Sequence, residues 1–249
     1  MKKSPRLIVS LTSFPARMAA VERVIRGILR QTHKPDLVVL YLSKQEFTGG
    51  KTVPETLQNM VGDDFEIRWV PKTHRSYQKI IPALVDFPDD VIVTVDDDVY
   101  YPRNMIARLW RAHKKYPHDV IANRAKIISD APYKKWKLLR WFARGASIKR
   151  LATGVGGVLY PPHALHPDAV CSDVYLDIAP TTDDLWLWAM EARQGTKIRV
   201  LPNAHILPHN IGAAQFVSLR HKNFKRGTDG NDVAWAKIMD KYPELRDIV

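Results

Sequence analysis

Three consecutive aspartates, Asp96, Asp97 and Asp98, follow the apolar run VIVTV at 91–95. Adjacent carboxylates repel one another, so three together call for a cation or for phosphate chemistry. If the extended backbone continues, Asp96 and Asp98 share one side, because strand side chains alternate faces. Two carboxylates on one side make a hard oxygen site suited to Mg²⁺ or Mn²⁺, completed by phosphates and water. A solvated acidic turn is the plainer alternative, and the buried strand leading into the triad weighs against it. A second acidic pair, Asp183 and Asp184, opens the segment TTDDLWLWAMEARQG. Thr182 is a good N-cap there and Gly195 a good stop. Carboxylates in a first helical turn gain about 0.3–1 kcal/mol from the helix dipole, so capping alone explains the pair. General-base catalysis is the chemical alternative. His205 and His209 stand four apart, but Pro208 opposes a helix that would present them together, so no zinc pair is expected.

These groups need elements to position them. LIVSL (7–11), LVVLYLS (37–43), FEIRWV (65–70) and VIVTV (91–95) read as strands, the second uniformly apolar as a buried parallel strand would be. Between them, 18–32 places Met18, Val21, Val24, Ile25, Ile28 and Leu29 on one helical face. Helical turns are expected near 53–61, and over 76–87 with Pro82 shifting the start. An amphipathic helix follows Pro102. Strands alternating with helices predict an α/β three-layer sandwich with a mostly parallel central sheet. Ligands in such sheets sit beyond the carboxyl ends of the strands, which is where the aspartates stand. Further along, 197–202 reads as one more strand and the chain from about Asp232 as a final helix. With no repeat or linker, 1–249 reads as a single domain, within which the resemblance given below implies a nucleotide-sugar half to about 102 and an acceptor half from about 103.

Composition bounds the partners. The 249 residues carry 38 Lys and Arg against 26 Asp and Glu, a net charge of +12. That balance favours phosphates, anionic lipid or nucleic acid as partners. No run approaches the roughly 20 apolar residues of a membrane span, and LIVSL is too short for a signal-peptide core. The single Cys171 cannot form an internal disulfide and fits a reducing cytosol. The stretch 133–150 mixes seven Lys or Arg with Tyr133, Trp136, Trp141 and Phe142. It reads as a solvated helix face or as a segment for an anionic membrane surface. Nucleic acid is not expected, since no such module is recognisable and the crevice is acidic.

In order and spacing, VSLTSFPAR, VDDDVYYP, TGVGGVLYPP, TTDDLWLWA and LPHN resemble the GT-A fold glycosyltransferases, particularly the inverting, family 2-like enzymes of bacterial surface polysaccharide synthesis. The resemblance spans about residues 7–212. It implies that Asp98 and Asp96 bind a divalent metal, Mn²⁺ or Mg²⁺, bridging the phosphates of a nucleotide-sugar, a UDP-sugar by expectation. His209 would complete the metal shell. Thr12, Phe14 and Arg17 would line the nucleoside pocket, with Asp97, Tyr77 and Lys79 near the donor. Asp184, with Asp183 beside it, would be the base that takes the acceptor hydroxyl proton. Gly154, Gly156, Gly157 and Trp186 would lie on the acceptor side, toward a glycan or lipid-linked acceptor. The protein would work in the cytoplasm, peripherally at the inner face of the membrane. The second strand ends LYLS, without the acidic residue with which many members read the base. Two rival readings stand beside this one. In the first, a haloacid-dehalogenase-like phosphatase uses Asp96 as nucleophile, a motif that family carries on its first strand. In the second, the chain is a non-enzymatic basic module binding membrane or nucleic acid.

Overall fold

The structure is a computed structural model, and it describes residues 4–139, 145–202, 209–211 and 230–249. An eight-stranded sheet is its centre. The strands are β1 (Leu7–Thr12), β2 (Leu37–Ser43), β3 (Phe65–Val70), β4 (Val91–Thr94), β6 (Val120–Ala122), β8 (Ala146–Ser147), β10 (Val158–Tyr160) and β11 (Ile198–Val200). Their order is β3-β2-β1-β4-β10-β6-β11-β8. Six run the same way, and β10 and β8 run against them. β5 (Val99–Tyr100) pairs with β12 (His209–Asn210), and β7 (Ala125–Ile127) with β9 (Arg150–Ala152), in two small ribbons.

Strand alternation divides the core into two halves. Leu7, Val9, Leu11, Val38, Leu40, Val91 and Val93 pack on α1 (Met18–Leu29) and α4 (Met105–Lys115). Ile8, Val39, Tyr41 and Ile92 face α3 (Ile81–Asp86), α5 (Ser172–Ile178), α6 (Asp183–Gln194) and the C-terminal helix Gly230–Lys241. Every residue of β2 is buried, as its unbroken apolar run requires. The result is the α/β sandwich expected from the sequence. Both halves of the chain contribute to the one sheet, since β10, β6, β11 and β8 continue it beyond β4.

Two expectations are corrected. Thr182 precedes α6, but its hydroxyl has no hydrogen-bond partner among the described residues and caps nothing. Gly195 does close the helix, in the left-handed conformation at φ 77°. The basic stretch from residue 133 is not a helical face. Tyr133–Lys135 form one 3-10 turn, and Lys137 and Leu139 pair with the backbone of β7. Trp136 is buried, edge-on to Trp235, with its indole N–H on the Ala131 carbonyl at 2.7 Å. Trp141 and Phe142 lie outside the described residues.

Candidate functional site

β4 ends at Thr94, and Asp97 and Asp98 lie in a turn instead of an extended continuation. The three carboxylates therefore diverge. Asp97 turns inward, accepting from Ser13 Oγ and Arg17 Nη1, both at 2.6 Å. Burial raises its pKa, and Arg17 and Ser13 oppose that rise. Arg17 stands at the end of the 3-10 turn Pro15–Arg17 after β1. It also reaches Asp98 Oδ2 at 3.2 Å and so ties the β1 loop to the aspartate loop. Asp98 is pushed up to about 6, by burial first and then by the Asp96 charge. Asp96, the most open of the three at 27 % exposed, meets Lys79 Nζ at 2.9 Å. Its backbone N–H donates to Tyr101 Oη at 2.8 Å.

Lys79 joins the two acidic groups. It ends the 3-10 turn Arg75–Lys79, its side chain 9 % exposed, and lies 3.2 Å from Asp183 Oδ2. That second contact is an ion pair without hydrogen-bond geometry. Its pKa is raised well above the ordinary lysine value: burial opposes the charge, and the charges of Asp183, Asp96 and Asp184 outweigh burial. Asp184 Oδ1 accepts the Gly154 N–H at 3.1 Å. Burial, then the neighbouring Asp183 charge, pushes Asp184 up to about 7, while Lys79 and the Gly154 N–H pull against them. Gly154 arrives because β10 runs antiparallel beside β4, with Val158 opposite Thr94, so the glycine segment before β10 lies at the carboxyl end of β4. A Cβ on Gly154 would stand 2.8 Å from Lys79 Nζ and 3.4 Å from Asp184 Oδ1. Glycine is what lets these groups meet.

Other expected residues fall elsewhere. Phe14 is half-exposed, with the Arg17 guanidinium 5.3 Å from its ring centre. With Pro15, Ala16, Gln45, Glu46 and Lys51 it lines an open groove of about 570 Å³. Thr12 Oγ1 donates to the Tyr41 carbonyl and accepts from Gln78, bracing β1 against β2. Tyr77 is not a donor contact: it is buried, stacked on Tyr175, and its hydroxyl donates to the Ala179 carbonyl at 2.6 Å. Trp186 is not an acceptor contact either, being buried with its indole N–H on the Ala169 carbonyl. Gly156 and Gly157 support the site from behind. A Cβ on Gly156 would press on Asn123 and Arg124 at 3.2 Å, and Gly157, at φ +82°, packs on Met105. The side chain of His209 lies outside the described residues. Its backbone pairs with Tyr100, and Ile211 N–H donates to the Asp98 carbonyl, so the strand carrying it runs beside the aspartate loop. Ser13 and Tyr101 also belong to the site and stand in sequence next to motif residues, an adjacency that signals them.

Among the described residues, no three His, Cys, Asp or Glu side chains form a ready-made metal cage. Mg²⁺ and Mn²⁺ do not require one, since one or two carboxylates plus substrate phosphates suffice. Among the described residues, five carboxylates (Asp96, Asp97, Asp98, Asp183 and Asp184) here meet two side-chain cations, Arg17 and Lys79. Asp96 and Asp98 crowd one another, and this surplus of hard anionic oxygen fits a divalent cation.

Comparison with solved structures recovers this fold. A Staphylococcus aureus TarS fragment, 1–349 with UDP-GlcNAc, superposes at TM-score 0.51 and 12% identity, over 80% of this chain and 56% of that one. The mannosyltransferase PcManGT of Pyrobaculum calidifontis, with GDP-Man and Mn²⁺, gives 0.53 and 12% over 100% and 77%. A 4-diphosphocytidyl-2C-methyl-D-erythritol synthase gives 0.51 and 15% over 86% and 98%. The chain thus spans little more than half the length of the TarS fragment. No protein-family model and no curated protein matches the sequence. The fold is the GT-A type shared by these enzymes.

Proposed function

We propose that the chain is a single-domain, metal-dependent, inverting glycosyltransferase that moves a sugar from a nucleotide-sugar to a glycan or lipid-linked acceptor. One observation carries the reading. Asp184, held by the Gly154 N–H beside Asp183, and the Asp96–Asp98 loop come together beyond the carboxyl end of β4, with Lys79 bridging Asp96 and Asp183. Asp96 and Asp98 would hold Mn²⁺ or Mg²⁺ against the donor diphosphate, with His209 on the adjoining strand. Bound there, the ion would neutralise charge on the departing diphosphate. Arg17 adds a fixed positive charge beside it, and the Phe14 groove takes the nucleoside, uridine by expectation. Asp184 takes the acceptor hydroxyl proton as that oxygen bonds to C1, on the face opposite the leaving nucleoside diphosphate. Its raised pKa suits this role near neutral pH. Asp183 is instead ion-paired to Lys79. Synthesis of bacterial surface polysaccharide at the cytoplasmic side of the membrane is the setting this implies.

Topology weighs against the phosphatase reading, because Asp96 follows the fourth strand of the chain and not the first. A nucleotidyl-transfer reading draws on the synthase superposition, which covers 98% of that chain. The test is a panel of nucleotide-sugars with and without Mn²⁺, followed by thermal stabilisation, slow donor hydrolysis and, with acceptor, the anomeric configuration by NMR. Stabilisation and turnover by a nucleotide-sugar, with inversion, are expected. Release of pyrophosphate from a nucleoside triphosphate and a sugar phosphate, with no nucleotide-sugar turnover, would replace this reading. A product that keeps the donor's configuration would remove the role given to Asp184.

A further inference from the structure

The outer layer of α1 and α4 carries a group of exposed cations along the joint between the two helices. The two helices are locked where Gln31 Nε2 donates to the Pro102 carbonyl at 2.8 Å and Gln31 Oε1 accepts from the Ile106 N–H at 3.0 Å. Thr32 N–H closes the joint on the Arg103 carbonyl at 2.8 Å. Beside it His33 stacks on Trp110, centroids 5.5 Å apart and planes 21° from parallel, and Trp110 also meets His113. Arg30, Lys34, Arg103, Arg111 and Lys114 are among the exposed cations of this joint and of the two helices beside it, with Arg23, Arg26 and Lys115 further along the helices.

Acid to match them is missing. Across α1, α4 and the segment 30–34, Glu22 is the single acidic residue, and it is taken by Arg26 at 2.9 Å. The flanking Asp36 and Asp119 are engaged, by the Leu7 N–H and by Arg199. Among the described residues no ion pair engages Arg30, Lys34, Arg103, Arg111 or Lys114, whereas Arg6, Arg68, Arg193, Arg199 and Arg246 all find carboxylates. Like charges gathered on one face repel one another, and the natural complement is an extended anionic surface. The half-buried Trp110 among them points to which kind. An indole with an apolar body and a wet edge, flanked by Lys and Arg, suits a bilayer interface. With His33 covering one face of its ring, it is a poor stacking platform for nucleic-acid bases.

We propose that the α1–α4 seam docks the protein on an anionic phospholipid surface. The inference stands on these charges and on Trp110, so it holds or falls independently of the transfer reaction. It also moves membrane contact off the stretch 133–150, where Trp136 belongs to the core.

The test is co-sedimentation of the full chain with phosphatidylglycerol–phosphatidylcholine vesicles and with phosphatidylcholine alone, at rising salt. Binding to the anionic vesicles that weakens with salt is expected. The quadruple variant Arg30→Gln, Lys34→Gln, Arg111→Gln, Lys114→Gln should bind roughly a hundredfold more weakly or worse, since each surface cation contributes about fivefold. All four side chains are exposed, so its melting curve should match the parent's. A control with the same change in net charge, Lys134→Gln, Lys135→Gln, Lys137→Gln, Lys149→Gln, should keep most of the affinity. Equal losses in the two variants would reduce the effect to net charge and overturn the proposal. Equal binding to neutral vesicles would overturn it too, as would an RNA that binds this seam while vesicles of matched charge do not.

Discussion

Replacing Lys79 with Met keeps the aliphatic stem packed and deletes the ammonium between the two acidic groups. Asp96 Oδ1, 2.9 Å away, and Asp183 Oδ2, 3.2 Å away, then lose a shared cation. Breaking a buried ion pair costs about 3–5 kcal/mol. Asp96 is 27 % exposed and recovers part of that from water, so about 3 kcal/mol is a fair figure for the loss. For a chain of this length that lowers Tm by roughly 6–12 °C. The loss should depend on pH. Asp184 sits at about 7 in the fold, against an ordinary 3.8. The folded state therefore binds a proton that the unfolded chain has released. Stability from this group falls as pH rises between those two values and is recovered on acidification. Without Lys79, which favours its ionised form, Asp184 should hold its proton to still higher pH, so the deficit should be larger at about pH 8.5 than at about pH 5. Melting curves of parent and variant at both pH values, with and without Mn²⁺, measure it, and Mn²⁺ should narrow the gap by replacing the lost charge. Lys79→Arg should retain most of the stability. An equal Tm for Lys79→Met and parent at both pH values would refute the claim that the ammonium balances these acids.

Other outcomes follow from the same geometry. Asp184→Asn should lower transfer roughly 10²–10⁴-fold while leaving nucleotide binding unchanged, whereas Asp183→Asn should lose less; near-parent turnover in the Asp184 variant would move the base elsewhere. In the parent, kcat/KM should fall as pH drops below about 7, where Asp184 takes up its proton, and that limb should vanish from the residual activity of Asp184→Asn. Gly154→Ala places a methyl 2.8 Å from Lys79 Nζ. Because the ammonium is pinned by two carboxylates, turnover should drop roughly ten- to a hundredfold with little change in melting temperature, and parent-like turnover would show that Lys79 moves aside freely.

The first half of the chain was readable because local pattern decided it. The unbroken apolar run of β2 and the one-sided apolar face of α1 each permit a single solution, and four strands of this kind place the aspartates at a crevice. The second half turns on pairings that leave no local mark. β10 is three residues long and slips antiparallel between β4 and β6, which is why Gly154 meets Asp184 and Lys79. Residue type misled where burial is uniform. On α6 every residue from Leu185 to Ala192 is buried, so no polar stripe marked which side faced the site, and Trp186 looked as available as Asp184. Tyr77 failed in the same way, two residues before the lysine that matters. The triad also behaved differently from its strand-like appearance. A strict alternation would have set Asp96 and Asp98 side by side and left Asp97 idle. The turn instead buries Asp97 against Ser13 and Arg17, leaving Asp96 to Lys79 and Asp98 within reach of Arg17. The middle aspartate anchors the loop, and its anchoring keeps the outer two near enough for the Asp96 charge to raise the Asp98 carboxyl.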